Sequence, residues 1–253
     1  MPLRLITVPC LEDNYAFLIH NDDTGETALI DAPETAPIQS QLDALGWELT
    51  NLLITHHHWD HVQSVDDLRG TARVIGAAAD ESRLPNLTQS VSGGDQITVC
   101  GEPCQIIETY GHTIGHIAFY FPYSGYLFSA DSLMAMGCGR LFEGTPDQMW
   151  DTMQRLRALP DDTIVCSGHE YTAANMRFAL SLEPNNPHLL KRAARISHAR
   201  DNNQPTVPST LADEKRTNPF LRADDPALKR AIGMETASDA QSFADIRSRK
   251  DSF

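Results

Sequence analysis

Along the first two-thirds of the chain the apolar residues come in short runs broken by turn residues, the pattern of strands rather than long helices. The opening MPLRLITVPC reads as a first strand. Residues 15–20 and 27–31 flank Asp-Asp-Thr-Gly, the pattern of a hairpin. A short buried strand is predicted at 52–55 and a helix at 62–69. Further strands are predicted at 73–76, 96–100, 105–109, 117–121, 126–129 and 163–166, all rich in β-branched or aromatic residues. One helix is strongly signalled. Thr145-Pro146-Asp147-Gln148 offers an N-cap, a proline at the first helical position and a capping-box glutamine, and Met149, Met153, Leu156 and Leu159 follow at helical spacing. Beyond residue 171 the strand signals vanish, and helices are predicted at 172–182, 187–201, 225–232 and 239–249. The pattern is a mixed α/β segment followed by a small helical one.

Composition is consistent with that picture and narrows the partners. The chain has 253 residues, 41% hydrophobic and 21% charged, enough for one large domain or two modest ones. No run approaches the ~20 apolar residues of a membrane span, so no membrane partner is expected. The N-terminus lacks the long apolar core of a signal peptide. Five cysteines, an odd number without a Cys-x-x-Cys pair, argue against a disulfide framework and for a reducing cytoplasm. Residues 1–171 carry 7 Lys/Arg against 24 Asp/Glu, a net of −17, while residues 172–253 carry 13 against 10, a net of +3. So acidic a body does not suit a nucleic-acid backbone. The shift near residue 171 marks a candidate domain boundary, giving 1–171 and 172–253.

The densest chemistry lies in Thr55-His56-His57-His58-Trp59-Asp60-His61, straight after the apolar run Leu52-Leu53-Ile54. In an extended segment alternate side chains share a face, so His56 and His58 project together and His57 faces elsewhere. Asp60 and His61 follow where the chain turns into a helix, in place for a second ion. Three later stretches offer more ligands: His112 in Tyr110-Gly111-His112-Thr113-Ile114-Gly115-His116, Asp131 after Leu127-Phe128-Ser129-Ala130, and His169 in Val165-Cys166-Ser167-Gly168-His169-Glu170. Each follows an apolar strand at its C-terminal end, where α/β proteins tend to place binding sites.

Thr-His-x-His-x-Asp-His, Gly-His-Thr-x-Gly-His, Phe-Ser-x-Asp and Gly-His-Glu, in that order, resemble the metallo-β-lactamase superfamily. The resemblance implies an α+β chain: a four-layer αββα sandwich over 1–171, followed by the small all-helical domain. It also implies two divalent metal ions, one held by His56, His58 and His112, the other by Asp60, His61 and His169, with Asp131 bridging. The true β-lactamases of the superfamily usually lack a ligand of the Asp60 type, which disfavours that activity. Gly137-Cys138-Gly139-Arg140, Glu143-Gly144-Thr145, Gly168-His169-Glu170-Tyr171-Thr172, Thr217-Asn218-Pro219-Phe220-Leu221-Arg222 and the closing Arg249-Lys250-Asp251-Ser252-Phe253 are similar to the glyoxalase II family, the hydroxyacylglutathione hydrolases. That resemblance implies hydrolysis of S-D-lactoylglutathione, with Asp60 and Asp131 in the catalytic centre and the glutathione held by Arg140, Tyr171, Arg247 and Lys250; a monomer is expected. Phe142 stands where some relatives have a tyrosine, so one hydroxyl contact is absent. The alternatives on the same fold are another metal-dependent ester or lactone hydrolase and an iron-dependent glutathione persulfide dioxygenase.

The chemistry fits the residue types. Metal coordination lowers the pKa of bound water from 15.7 toward ~7, supplying a nucleophile at neutral pH. Imidazole and carboxylate suit zinc, iron or manganese, with no soft thiolate to select among them, and zinc is the expected metal. A thiol leaving group of pKa ~8.5 departs as thiolate without a dedicated acid. His116 is the nearest candidate acid and is expected instead to pack or orient, while Glu170 either orients a ligand or is solvated. Glutathione is net anionic, so an acidic body needs a local basic patch, which Arg140 and the terminal helix could provide.

Overall fold

A computed structural model describes residues 2–253. Its chain divides into two compact units, one made of the residues up to Thr109 together with Thr113–Ala130, the other of Tyr110–His112 and Asp131–Phe253. In the first unit Arg4–Cys10 (β1), Asn14–His20 (β2) and Thr27–Ile30 (β3) run antiparallel, and Asn51–Leu53 (β4), Arg73–Ala77 (β5) and Gln89–Val91 (β6) continue the sheet in parallel. Gln96–Val99 (β7), Glu102–Glu108 (β8), Ile117–Phe121 (β9) and Tyr126–Ala130 (β10) form an antiparallel meander.

The burial of β2 shows how these layers stack. All seven of its residues are buried, so both faces are covered. On one face Phe17 meets Phe128 of the meander, ring centroids 5.7 Å apart. On the other, Ala16 and Leu18 join Leu29, Leu52 and Val74 under Ile38 and Leu42 of the helix Thr35–Leu45 (α1). Each fully buried side chain of this size contributes roughly 1.5–3 kcal/mol, which locks the register that delivers the strand ends. The sequence pattern missed α1, whose N-cap Glu34 makes no side-chain cap bond, although Gly46 closes it in the left-handed conformation.

The helix predicted at 62–69 is instead two short ones, Trp59–Val62 (α2) and Val65–Leu68 (α3). Ala32 breaks the ladder between them: its N–H donates to the His61 carbonyl at 2.7 Å, and its carbonyl accepts from Ser64 N at 3.0 Å. This anchoring ties the histidine-rich turn to the end of β3.

In the second unit Leu133–Met134 (β11) pairs with Gly137–Cys138 (β12), and Ile164–Ser167 (β13) pairs with Ser209–Thr210 (β14). The last of these corrects the expectation that strands end by residue 171. Pro146–Arg157 (α4) starts at the predicted Thr145–Gln148 capping box. Thr172–Leu182 (α5) and Pro187–Asp201 (α6) match their predicted bounds, followed by Leu211–Thr217 (α7), which was not predicted, Pro226–Ile232 (α8) and Asp239–Asp251 (α9). Trp150 of α4 lies 6.0 Å from Phe243 of α9, and Phe243 lies 5.7 Å from Phe220. Among the described residues no helix is long and apolar enough to cross a membrane.

Candidate metal centre

In the first unit the chain leaves β4 and runs on to α2 through Thr55 and three histidines. The buried Asp31, at the end of β3, anchors this passage: its Oδ1 accepts from Thr55 N at 2.9 Å and its Oδ2 from the Thr55 hydroxyl at 2.8 Å. The His56 and His58 rings lie 4.7 Å apart. His57 turns the other way, placing Nδ1 2.8 Å from the fully buried Asp80, which also pairs with Arg83. Alternation along an extended chain therefore holds. His61 brings its ring within 4.3 Å of His56, and its Nε2 lies 3.7 Å from Asp60 Oδ2.

The hydrogen bonds fix which nitrogen can meet a metal. Asp31 accepts at His61 Nδ1 (2.8 Å), so that nitrogen carries the proton and Nε2 the lone pair. Thr55 spends its single hydroxyl proton on Asp31, so His56 Nδ1, 3.0 Å from Thr55 Oγ1, must donate, and again Nε2 keeps the lone pair. Asn14 donates from Nδ2 to Asp60 Oδ2 at 3.0 Å and steers that carboxylate. Such outer partners orient ligands and raise their basicity. His116 stacks on His56 with centroids 4.7 Å apart, and its Nδ1 lies 2.6 Å from Thr109 Oγ1.

The second unit brings His112, Asp131 and His169 together. Asp131 Oδ2 lies 3.5 Å from His112 Nε2 and 3.3 Å from His169 Nε2. The His112 Nδ1–H donates to the Arg140 carbonyl at 2.9 Å, which leaves the lone pair on Nε2 facing a carboxylate oxygen. Two lone-pair acceptors turned on each other with no proton between them are what a divalent cation would reconcile, so the donor set fits a metal. Gly139 permits this approach, since a Cβ there would sit 1.9 Å from the Asp131 carbonyl oxygen. The His and Asp groups held by each unit are of the types that make up a binuclear metal site in the matched superfamily. No thiolate competes. All five cysteines are buried, and burial pushes Cys138 up to about 11 even though Arg247 pulls it down.

The expected glutathione residues separate into two kinds. Tyr171 is 40% exposed and lies flat on His169 at 4.8 Å, Phe142 is 62% exposed beside His112, and Arg140 is exposed. Lys250 is half-buried, with Nζ 5.5 Å from the Phe178 and Phe253 rings. Burial, then repulsion from Arg247, Arg177 and Arg140, lowers its pKa. These cations are thus gathered against their mutual repulsion. Arg247 differs from the others: it is 5% exposed and donates to the Cys138 carbonyl at 3.0 Å and to Asp251 at 2.8 Å. Arg247 is the buried member of this cluster, and it is the first of the three arginines whose charge bears on Lys250. Glu170 accepts from Thr206 N and Oγ1 at 2.7 and 2.6 Å and pairs with Arg200 at 3.4 Å.

Sequence reasoning missed Asp31, Asn14, Asp80 and Arg177. Asp31 carried a usable signal, a carboxylate at the end of an apolar strand, the same pattern that marked Asp131. The others have partners 46 residues away for Asn14 and 23 for Asp80, and no local pattern encodes those. The network makes a prediction for His57. Its replacement by Ala should leave the metal content per chain unchanged within error, because His57 turns to Asp80. Loss of an ion in that variant, measured by elemental analysis, would contradict the alternation.

Residues 12–169 match the model of the metallo-β-lactamase superfamily, and residues 170–253 match that of the hydroxyacylglutathione hydrolase C-terminus. The fold is also similar to that of solved structures. These include the BLEG-1 B3 metallo-β-lactamase, with a TM-score of 0.65 and 21% identity over 86% of this chain and 99% of that one. ETHE1 from Myxococcus xanthus has a TM-score of 0.65 and 24% identity over 98% of this chain and 90% of that one. Fold and donor set together define a metal-dependent hydrolase class, the metallo-β-lactamase superfamily. Within that class, a hydroxyacylglutathione hydrolase of Ruegeria pomeroyi is 58% identical over the whole of both chains, and one of Jannaschia sp. is 55% identical over 99% of this chain and 98% of its own. The chain belongs to the hydroxyacylglutathione hydrolase (glyoxalase II) family.

Proposed function

We propose that the protein hydrolyses S-D-lactoylglutathione to D-lactate and glutathione, the second step of methylglyoxal detoxification. The observation that carries this reading is the end-to-end match to hydroxyacylglutathione hydrolases, through the metal-ligand motifs and the helical C-terminus alike. His56, His58 and His112 are assigned to one ion, Asp60, His61 and His169 to the other, and Asp131 to both. Zinc suits the donors first, with iron or manganese as alternatives. When bound, such ions supply a water-derived nucleophile at neutral pH and positive charge for the carbonyl oxygen. Asp60 and Asp131 are the catalytic carboxylates, and Asn14 holds Asp60 in place.

Residues 1–171 act as the catalytic domain and 172–253 as the substrate-binding one. Arg140, Tyr171 and Lys250 meet the glutathione, and Arg247 adds charge from its buried position while holding the Cys138 carbonyl. Phe142 offers an apolar surface without a hydroxyl. The chain acts as a monomer in the cytoplasm, a compartment that suits five unbridged, buried cysteines. No side chain is needed to protonate the leaving thiolate, in keeping with His116 bound to Thr109 and Glu170 bound to Thr206. The test compares thioesters with oxygen esters of the same acyl group. Thioesters should be cleaved far faster, since an alkoxide is a much poorer leaving group than a thiolate. Equal rates would favour a general esterase or lactonase instead.

A further inference from the structure

The strands β11 and β12 are two residues each, joined through Ala135 and Met136, with Met136 at a φ of +58°. So small a hairpin cannot hold its own shape. Its backbone is instead held by side chains from the helical segments. Asn218 Nδ2 donates to the Met134 carbonyl at 3.1 Å and the Gly137 carbonyl at 2.9 Å. Asn175 Nδ2 donates to the Ala135 carbonyl at 3.1 Å, and Glu214 Oε2 accepts from Met136 N at 2.8 Å. Asn218 and Glu214 are fully buried. Each is fixed in turn: Asn218 Oδ1 caps the turn at Phe220 N (3.0 Å), and Glu214 pairs with the buried Arg192.

The two ends of this hairpin matter. It begins two residues after Asp131 and runs through Gly139 to Arg140, whose carbonyl accepts from His112 Nδ1. Gly139 N also donates to the Ser132 carbonyl at 3.2 Å, which ties the ends together. We propose that Asn218, with Glu214 and Asn175, is a positioning residue of the metal centre: through the 133–138 hairpin it sets where Asp131 and His112 stand. This rests on the reading above that Asp131 and His112 are metal ligands. It gives the Thr217–Arg222 stretch a part in metal binding, although it lies in the helical segment and contributes no ligand.

Asn218→Asp keeps the volume and the capping oxygen but removes both N–H donors and sets a carboxylate against two carbonyls and Glu214. The full-length, zinc-loaded protein is compared with the wild type in three measurements: zinc retention against a competing chelator, kcat and KM with a glutathione thioester, and Tm. Zinc affinity should fall about 10–100-fold, the usual effect of losing an outer partner of a ligand. Turnover should fall about 10- to 100-fold as the ligands move, with KM within about twofold. Asp224→Asn serves as the control. It breaks the Arg157–Asp224 pair, away from the hairpin, and should lower Tm with zinc retention and kcat unchanged. If Asn218→Asp lowers Tm but keeps wild-type zinc retention and kcat, the positioning role is overturned. Should that variant not fold, Asn175→Ala decides, since it removes one bond only: a few-fold loss of zinc affinity supports the proposal, and none overturns it. A wild-type protein that binds no metal would instead overturn the functional reading itself.

Discussion

Asp131→Ala should abolish hydrolysis and release metal. Its Oδ2 stands 3.3 and 3.5 Å from the Nε2 atoms of His169 and His112, which are assigned to different ions. Removing the carboxylate takes away the anionic group assigned to both, so metal content should drop from two ions per chain to one or fewer. The loss of turnover should exceed the ~10²–10³ typical of deleting a single oxyanion-stabilising donor, because nucleophile and charge stabilisation go together. Asp131→Asn, which keeps the shape but not the charge, should fall between. Elemental analysis and turnover measured on the same samples check this. Near-normal values for both would remove Asp131 from the centre.

The second large effect separates two cations three residues apart on α9. If Lys250 holds the glutathione as proposed, Lys250→Ala removes a charge acting on substrate and transition state alike, so KM should rise with kcat nearly unchanged. A charged hydrogen bond is worth roughly 1.5–3 kcal/mol, or about ten- to a hundredfold in KM. Raised salt should weaken wild-type substrate binding and affect the variant less. Arg247→Ala should behave differently. It strands the Cys138 carbonyl and uncovers the Phe220 ring, 5.0 Å from the guanidinium carbon. An unsatisfied buried acceptor costs about 1–3 kcal/mol, so Tm should fall roughly 2–12 °C on top of any rise in KM. Equal Tm for the two variants, read by thermal unfolding, would mean that Arg247 is not the buried anchor described.

How much of this could be read in the chain depended on how local the cause was. The strand at 117–121 and the helices at 172–182 and 187–201 appear where the pattern put them, because period and caps are encoded within the segment. The helix predicted at 62–69 was split by Ala32, a partner some thirty residues upstream that no helical periodicity registers. The ligand motifs stood out because imidazoles are dense there, and the alternation of His56, His57 and His58 follows from extended geometry alone. What orients them did not stand out: Asp31 reaches His61 across 30 residues, and Asn14 reaches Asp60 across 46. The burial of Arg247 was equally hidden, because its carbonyl partner at Cys138 lies 109 residues away.

The most direct test of the central claim is metal stoichiometry measured alongside thioester hydrolysis. Metal-free protein is titrated with zinc while hydrolysis of S-D-lactoylglutathione is followed. Binding should saturate at two ions per chain, with activity appearing as they bind and free thiol released in step with D-lactate. Saturation at one ion, with no thioester cleavage and with oxygen consumed when an iron-loaded sample meets glutathione persulfide, would contradict it.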